Sequence, residues 1–158
     1  MRVLKDLKAY SNGKILKAIS TLLFNPCFHS VLLYRVACLF ANMKITVIAK
    51  IIWYINRVVF NVDLDFRSNI GGGLRLIHGL GVVIGSEVQA GENLTVYQGV
   101  TLGGNFGKRK EIDGKITGQP YIGKNVTICT DAKLFGPVFV PDDTVIKAGR
   151  IISNDITV

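Results

Sequence analysis

Histidine and cysteine are scarce in this sequence, with two and three copies respectively among 158 residues. That scarcity excludes several chemistries. A metal held by three histidines is unavailable, and Cys27, Cys38 and Cys129 are odd in number and spaced for neither a zinc site nor a disulfide framework, so no catalytic metal is expected. The thiols are read as buried and reduced, which points to a cytoplasmic setting. Acidic residues are nearly missing from the first 60 positions, where nine Lys or Arg face Asp6 alone, while residues 61–158 hold ten of each sign. Long apolar runs are lacking too. The longest uncharged stretch, Ala18 to Tyr34, is interrupted by Asn25, Pro26 and His29 and falls short of the roughly 20 residues a spanning helix needs. Met1 to Lys17 is polar and basic and carries no signal-peptide pattern. Few aromatics accompany the basic residues, which argues against nucleic acid as a partner.

The opening segment, residues 1–60, is hydrophobic and basic. It reads as two or three helices, at about 14–24, 27–42 and 44–60. In the last, Lys50 and Arg57 share a face and leave Ile45, Val47, Ile48, Ile51, Ile52, Trp53, Ile55, Val58 and Val59 for the remainder. That surplus of apolar surface calls for packing in an oligomer or for a peripheral seat on an anionic membrane at the inner face.

Residues 61–158 carry the strongest signal, a period of six. Aliphatic or small residues recur at Ile84, Ala90, Val96 and Leu102, resume at Ile122, Ile128, Leu134, Val140, Ile146, Ile152 and Val158, and occur in a shifted phase at Leu64, Ile70, Leu76 and Val82. Neither a helix nor a flat strand keeps every sixth residue on one side. A triangular coil does, with three units per turn, strands stacked about 4.8 Å apart, and Gly85, Gly91, Gly123 and Asn125 at corners. Residues 104–120 break the repeat and read as an extruded polar loop, whose Lys108, Arg109 and Lys110 are candidates for meeting phosphate.

His78 lies where the period slips, fifteen residues after Asp63 and so close to one full turn. The spacing puts the two on adjacent turns, with the carboxylate near the imidazole, as a base for deprotonating a hydroxyl. His29 falls in an apolar helical stretch and is assigned to packing.

With these residues in place, the sequence resembles the serine acetyltransferase family and its polysaccharide-acetylating relatives of the colanic-acid type, over residues 20–158. The matching positions include Phe28-His29, Arg35, Val62-Asp63, Ile70-Gly71, the run from His78 through Gly81-Val82-Val83-Ile84-Gly85, and Val96 to Gly104 with its Gln98-Gly99-Val100-Thr101-Leu102-Gly103-Gly104 block. The resemblance implies a mainly β fold, a left-handed parallel β-helix of hexapeptide repeats with an N-terminal α-helical segment. It also implies a homotrimer, or a higher oligomer, with active sites between neighbouring coils and acetyl-CoA as acyl donor. His78 and Asp63 would form the catalytic dyad. Gly103, Gly104, Thr130 and Ala148 would line the donor's pantetheine arm, and Lys147 would meet its phosphates. Transfer would be direct, without an acyl-enzyme.

Ile77, Gln98 and Gln119 are the positions expected to face the acceptor. Serine acetyltransferases carry Asp where this chain has Ile77, and an Arg-His pair where it has Gly118-Gln119. On that ground the expected acceptor is the hydroxyl of a sugar or a lipid-linked polysaccharide, with membrane contact. A divergent serine O-acetyltransferase and a non-catalytic scaffold are the alternatives.

Overall fold

The computed structural model describes residues 2–156, so Val158 of the repeat lies outside the described residues. Four helices precede the coil: α1 (Arg2–Ser11), α2 (Ile15–Phe24), α3 (Pro26–Asn42) and α4 (Thr46–Phe60). Their boundaries follow local chemistry. The Asn12-Gly13 pair adopts positive φ between α1 and α2. The Asn25 side chain accepts the Phe28 N–H at 3.0 Å, with Pro26 in the first turn of α3. Asn61 closes α4 in the left-handed conformation. Helix α1 adds to the helices expected from sequence, which began at about residue 14.

Beyond Asn61 come fifteen strands, thirteen of them in the coil: β1 (Asp63–Leu64), β2 (Asn69–Ile70), β3 (Arg75–Ile77), β4 (Val83–Ile84), β5 (Gln89–Ala90), β6 (Thr95–Tyr97), β7 (Thr101–Gly103), β10 (Tyr121–Ile122), β11 (Thr127–Ile128), β12 (Lys133–Phe135), β13 (Phe139–Val140), β14 (Val145–Ile146) and β15 (Ile151–Ile152). Successive strands join three parallel sheets in strict rotation. One sheet runs β1-β4-β7-β12-β15, the second β2-β5-β10-β13 and the third β3-β6-β11-β14. These are the three walls of a left-handed parallel β-helix. The sixfold positions and their companions, from Leu64 to Ile146, form one buried core that also takes in Val31 and Tyr34 of α3.

The register shows where the rhythm changes. Tyr121 lies opposite Phe139 and Thr127 opposite Val145, eighteen residues on. Asp63 lies opposite Val83 and Arg75 opposite Thr95, which makes that turn two residues longer. The extra residues fall at the corner after β3, where His78 sits. Gln89 lies opposite Tyr121, because residues 104–120 are inserted there.

That insertion is not an open loop. It folds as an antiparallel hairpin of β8 (Lys110–Ile112) and β9 (Lys115–Thr117), turned by Asp113-Gly114, both at positive φ. An Asp-Gly pair between Ile112 and Ile116 is a hairpin signature that the sequence already displayed.

Of the four corner residues named from sequence, Asn125 takes the left-handed conformation. Gly85, Gly91 and Gly123 do not. They are needed for stacking, since a Cβ on Gly91 would lie 2.9 Å from the Gly123 carbonyl.

The helices close the open end of the coil. Asp6 and Arg35, both buried, form an ion pair at 2.9 Å. Arg35 also donates to the carbonyls of Ile70 (2.7 Å) and Gly71 (2.6 Å), and Asp6 accepts the N–H groups of Gly73 and Leu74, each at 2.8 Å. The Tyr10 hydroxyl donates to Leu76 O at 3.2 Å and accepts Leu76 N–H at 2.8 Å.

Replacing Arg35 with Met leaves Asp6 as a buried, uncompensated charge and orphans two carbonyls. Loss of one partner of a buried pair costs about 3 to 5 kcal/mol. Urea denaturation of Arg35→Met is expected to show a loss of that size, while Lys8→Met, on the exposed side of α1, stays within about 0.5 kcal/mol of the parent.

Candidate active site

Four corners stack along one edge of the coil, between the third sheet and the first. The His78-to-Gly81 corner is bonded to the next through Gly99 N–H to Leu80 O at 2.9 Å. That corner is bonded to the third through Asp131 N–H to Gln98 O at 3.0 Å, and the third to the fourth through Gly149 N–H to Thr130 O at 2.8 Å. His78, Gln98, Thr130 and Ala148 therefore line a single ridge. At about 4.8 Å per turn it is about 14 Å long. Lys147 lies at its far end, where it and Arg150 border a depression of about 550 Å³.

His78 heads this ridge. Its backbone is left-handed, with φ 61°, a conformation uncommon outside glycine. The two extra residues of its turn explain this. A tight reversal donates Leu80 N–H to His78 O at 2.6 Å, and Gly79, also at positive φ, lets the chain re-enter β4. The residue is exposed. Beside it a cavity of about 180 Å³ is lined by Pro26, Cys27, Phe60, Asn61 and Leu80 among others. Burial pushes the Cys27 thiol above its ordinary pKa, so this neighbour is a poor nucleophile.

Asp63 comes to the same corner, since its N–H bonds Val82 O and Gly81 N–H bonds Asn61 O. The expected carboxylate-to-imidazole contact is replaced by another pair of partners. The Trp53 indole N–H donates to Asp63 Oδ1 at 2.8 Å, and the Arg57 guanidinium stands 3.5 Å from Oδ2. Arg57 also lies over the Trp53 ring, 5.8 Å from its centre. Helix α4 thus supplies two groups to the site. Their spacing of four residues puts them on one helical face, a pairing the sequence reading missed because it grouped Arg57 with Lys50 and counted Trp53 among the apolar remainder.

Gly103, Gly104 and Gln119 do not join the ridge. Gly103 ends β7, whose start is next to Gly99, so it lies at the opposite edge of the first sheet. A Cβ on Gly85 would meet Gln119 Oε1 at 2.3 Å, so that side chain lies over Gly85, and Gln119 Oε1 accepts the Glu87 N–H at 3.0 Å. Ile77 is half-buried at the end of β3. The basic loop residues are also engaged. Arg109 pairs with Glu87 at 3.1 Å and Lys110 pairs with Asp155, leaving Lys108 exposed. The Gly118 N–H, then Arg109, hold the Glu87 carboxyl below the usual carboxylate range.

One polar atom on the ridge lacks a partner. The side-chain oxygen of Gln98 is buried with no hydrogen-bond partner among the described residues. An extended ligand with anionic groups at one end fits such a track, with the cations Lys147 and Arg150 at its far end. Acetyl-CoA has that chemistry. Among the described residues no three His, Cys, Asp or Glu gather as metal ligands. A larger depression, about 920 Å³, lies elsewhere, between α1, α3 and the Phe66-to-Asn69 corner.

No protein-family profile matches the chain. Individual proteins do. The serine acetyltransferase of Helicobacter pylori (strain ATCC 700392 / 26695) is 34% identical over 137 residues, covering 85% of this chain and 75% of that protein. The serine acetyltransferase of Bacillus pumilus (strain SAFR-032) is 37% identical over 128 residues, covering 81% of this chain and 56% of its own length. Among solved structures, the Neisseria gonorrhoeae serine acetyltransferase superposes with a TM-score of 0.84 at 29% identity, covering 98% of this chain and 57% of that one. A serine acetyltransferase in complex with CoA gives 0.84 at 25% identity, covering 98% and 62%.

These relatives correct the expectation drawn from Ile77 and Gln119. The leaning toward polysaccharide-acetylating enzymes, the sugar acceptor and the role in polysaccharide biosynthesis are overturned, because the matching proteins and structures are serine acetyltransferases. Two divergent acceptor positions weigh less than agreement along most of the coil. The chain belongs to the serine acetyltransferase family.

Proposed function

We propose that this chain is a serine O-acetyltransferase, transferring the acetyl group of acetyl-CoA directly to the hydroxyl of L-serine. The observation that carries the reading is the ridge headed by His78, whose left-handed corner projects an exposed imidazole at one end of a track with cations at the other. His78 removes the hydroxyl proton as the serine oxygen attacks the thioester carbonyl carbon, and it returns that proton to the departing sulfur as the carbon–sulfur bond breaks. Asp63 sits at the same corner, fixed by Trp53 and Arg57, and its charge favours the transient imidazolium. Main-chain N–H groups of the corners are suited to the developing oxyanion.

The proposal includes a trimer. Gly103, Gly104 and Gln119 occupy the far edge of the first sheet, so they share a groove with His78 only if the edge of one coil faces the edge of another. Three copies around an axis supply three such grooves. The setting is cytoplasmic, where the free thiols of Cys27, Cys38 and Cys129 stay reduced.

Acceptor recognition departs from what the family resemblance implies, because Ile77 is apolar and Gln119 is engaged with Glu87. Arg57, more than half exposed beside Asp63, is the cation suited to the carboxylate of serine.

With acetyl-CoA and L-serine, thiol release is expected and His78→Ala is expected to lower kcat by about two to four orders of magnitude. Absence of turnover on L-serine, or an unaffected His78→Ala, would sink the assignment. Arg57→Ala is expected to raise KM for serine about tenfold and leave KM for acetyl-CoA unchanged, read from steady-state kinetics. Mixing the enzyme with acetyl-CoA alone is expected to give no mass increase of 42 Da, on the order of one acetyl group, in intact-protein spectra, in keeping with the raised Cys27 pKa.

A further inference from the structure

We propose that α2 and α4 form a seat for an anionic lipid surface, independent of the acetyl-transfer reading. The apolar residues of α4 face outward. Val47, Ile48, Ile51, Tyr54, Ile55 and Val58 are all exposed. At about 100° per residue they fall within about 120° of the helix circumference. The inward face holds Ala49 and Asn56, the two buried residues of this helix. Lys50 borders the outward stripe, and Lys44 precedes it. Helix α2 repeats the arrangement. Thr21 is its one buried residue, while Leu16 is 84% and Phe24 77% exposed, next to Lys14 and Lys17. A soluble surface rarely exposes helix faces this rich in aliphatic side chains without an occupant.

Charge selects the occupant. Lys14, Lys17, Lys44 and Lys50 make no salt bridge among the described residues. The one acid among the first 60 residues, Asp6, is buried against Arg35. A second copy docking through the same face by a two-fold axis would set lysine against lysine with no carboxylate to offset them. A bilayer with anionic headgroups offers both complements, hydrocarbon for the stripes and negative charge for the lysines. The contact is peripheral. No single helix among the described residues is long and apolar enough to cross a membrane. Helices α2 and α3 satisfy length and composition only as a pair bent by 77°, and α3 is pinned to the coil by Arg35 and Tyr34.

The test is flotation of the full chain with vesicles of phosphatidylcholine alone or mixed with phosphatidylglycerol. Binding is expected only to the mixed vesicles, and raised salt should weaken it. Lys44→Glu with Lys50→Glu, and separately Ile51→Ser with Ile55→Ser, should each reduce the bound fraction at least about tenfold. Unchanged circular-dichroism melting of these surface variants shows that the fold persists. Equal binding to both vesicle types, or binding indifferent to all four substitutions, overturns the proposal. So does an assembly in solution that the Ile51 and Ile55 substitutions split while no vesicle is bound, which would assign the face to a second copy.

Discussion

The first turn of a β-coil has no turn above it, so its strands present unpaired N–H and C=O groups at a free edge. Left bare, such an edge invites another chain; buried without partners, it is unfavourable. In this protein Asp6, Tyr10 and Arg35 supply the missing turn. Between them they satisfy the backbone of Ile70, Gly71, Gly73, Leu74 and Leu76, all along the second and third walls. The arginine and aspartate neutralise each other, and both use their remaining hydrogen-bonding capacity on the coil. A hydrophobic cap would exclude water and orphan these groups. The polar cap therefore fixes how α1 and α3 sit, and through α3 it fixes α4 and the groups α4 brings to Asp63.

The chemistry gathers where the repeat is broken. An eighteen-residue turn stacks each corner on its predecessor, and left-handed residues such as Asn93, Asn125 and Asp143 recur at one stacked position. The turn holding His78 is two residues longer, and the surplus is absorbed as a reversal that throws the imidazole outward from a left-handed backbone. The second break, the hairpin before Pro120, covers the opposite edge and is tied back through Glu87, Asp155 and Tyr121. Regular turns supply the rigid ridge, and the irregular one supplies the exposed imidazole at its head.

Much of this was legible in the sequence. The sixfold spacing yields the three-walled core because the anchor position of each six, with its companion two residues earlier, must face inward whatever the remaining residues are. The slip beside His78 was visible for the same reason. The contacts of Asp63 were not legible, since they depend on the rotation of α4 about its own axis, and a helix apolar on most sides does not announce which side it buries. Corner glycines were identified for the wrong reason: at Gly91 the need is for close stacking, and only the neighbouring turn reveals it. Acceptor identity was misjudged because two positions, Ile77 and Gln119, were weighed as if each family member must hold its substrate with the same side chains.

Helix α4 has three separate tasks around its circumference. Ala49 and Asn56 pack inward on α3, Trp53 and Arg57 reach Asp63, and the aliphatic stripe looks outward. Because a helix rotates and shifts as a unit, these surfaces are not independent. Whatever covers the stripe bears on the same backbone that holds the indole and guanidinium against the carboxylate. Asn56 resists such movement, since its side-chain N–H is bonded to Ser30 O at 3.1 Å inside the protein. The outer stripe and the groups that hold Asp63 thus share one helix, separated only by the width of its backbone.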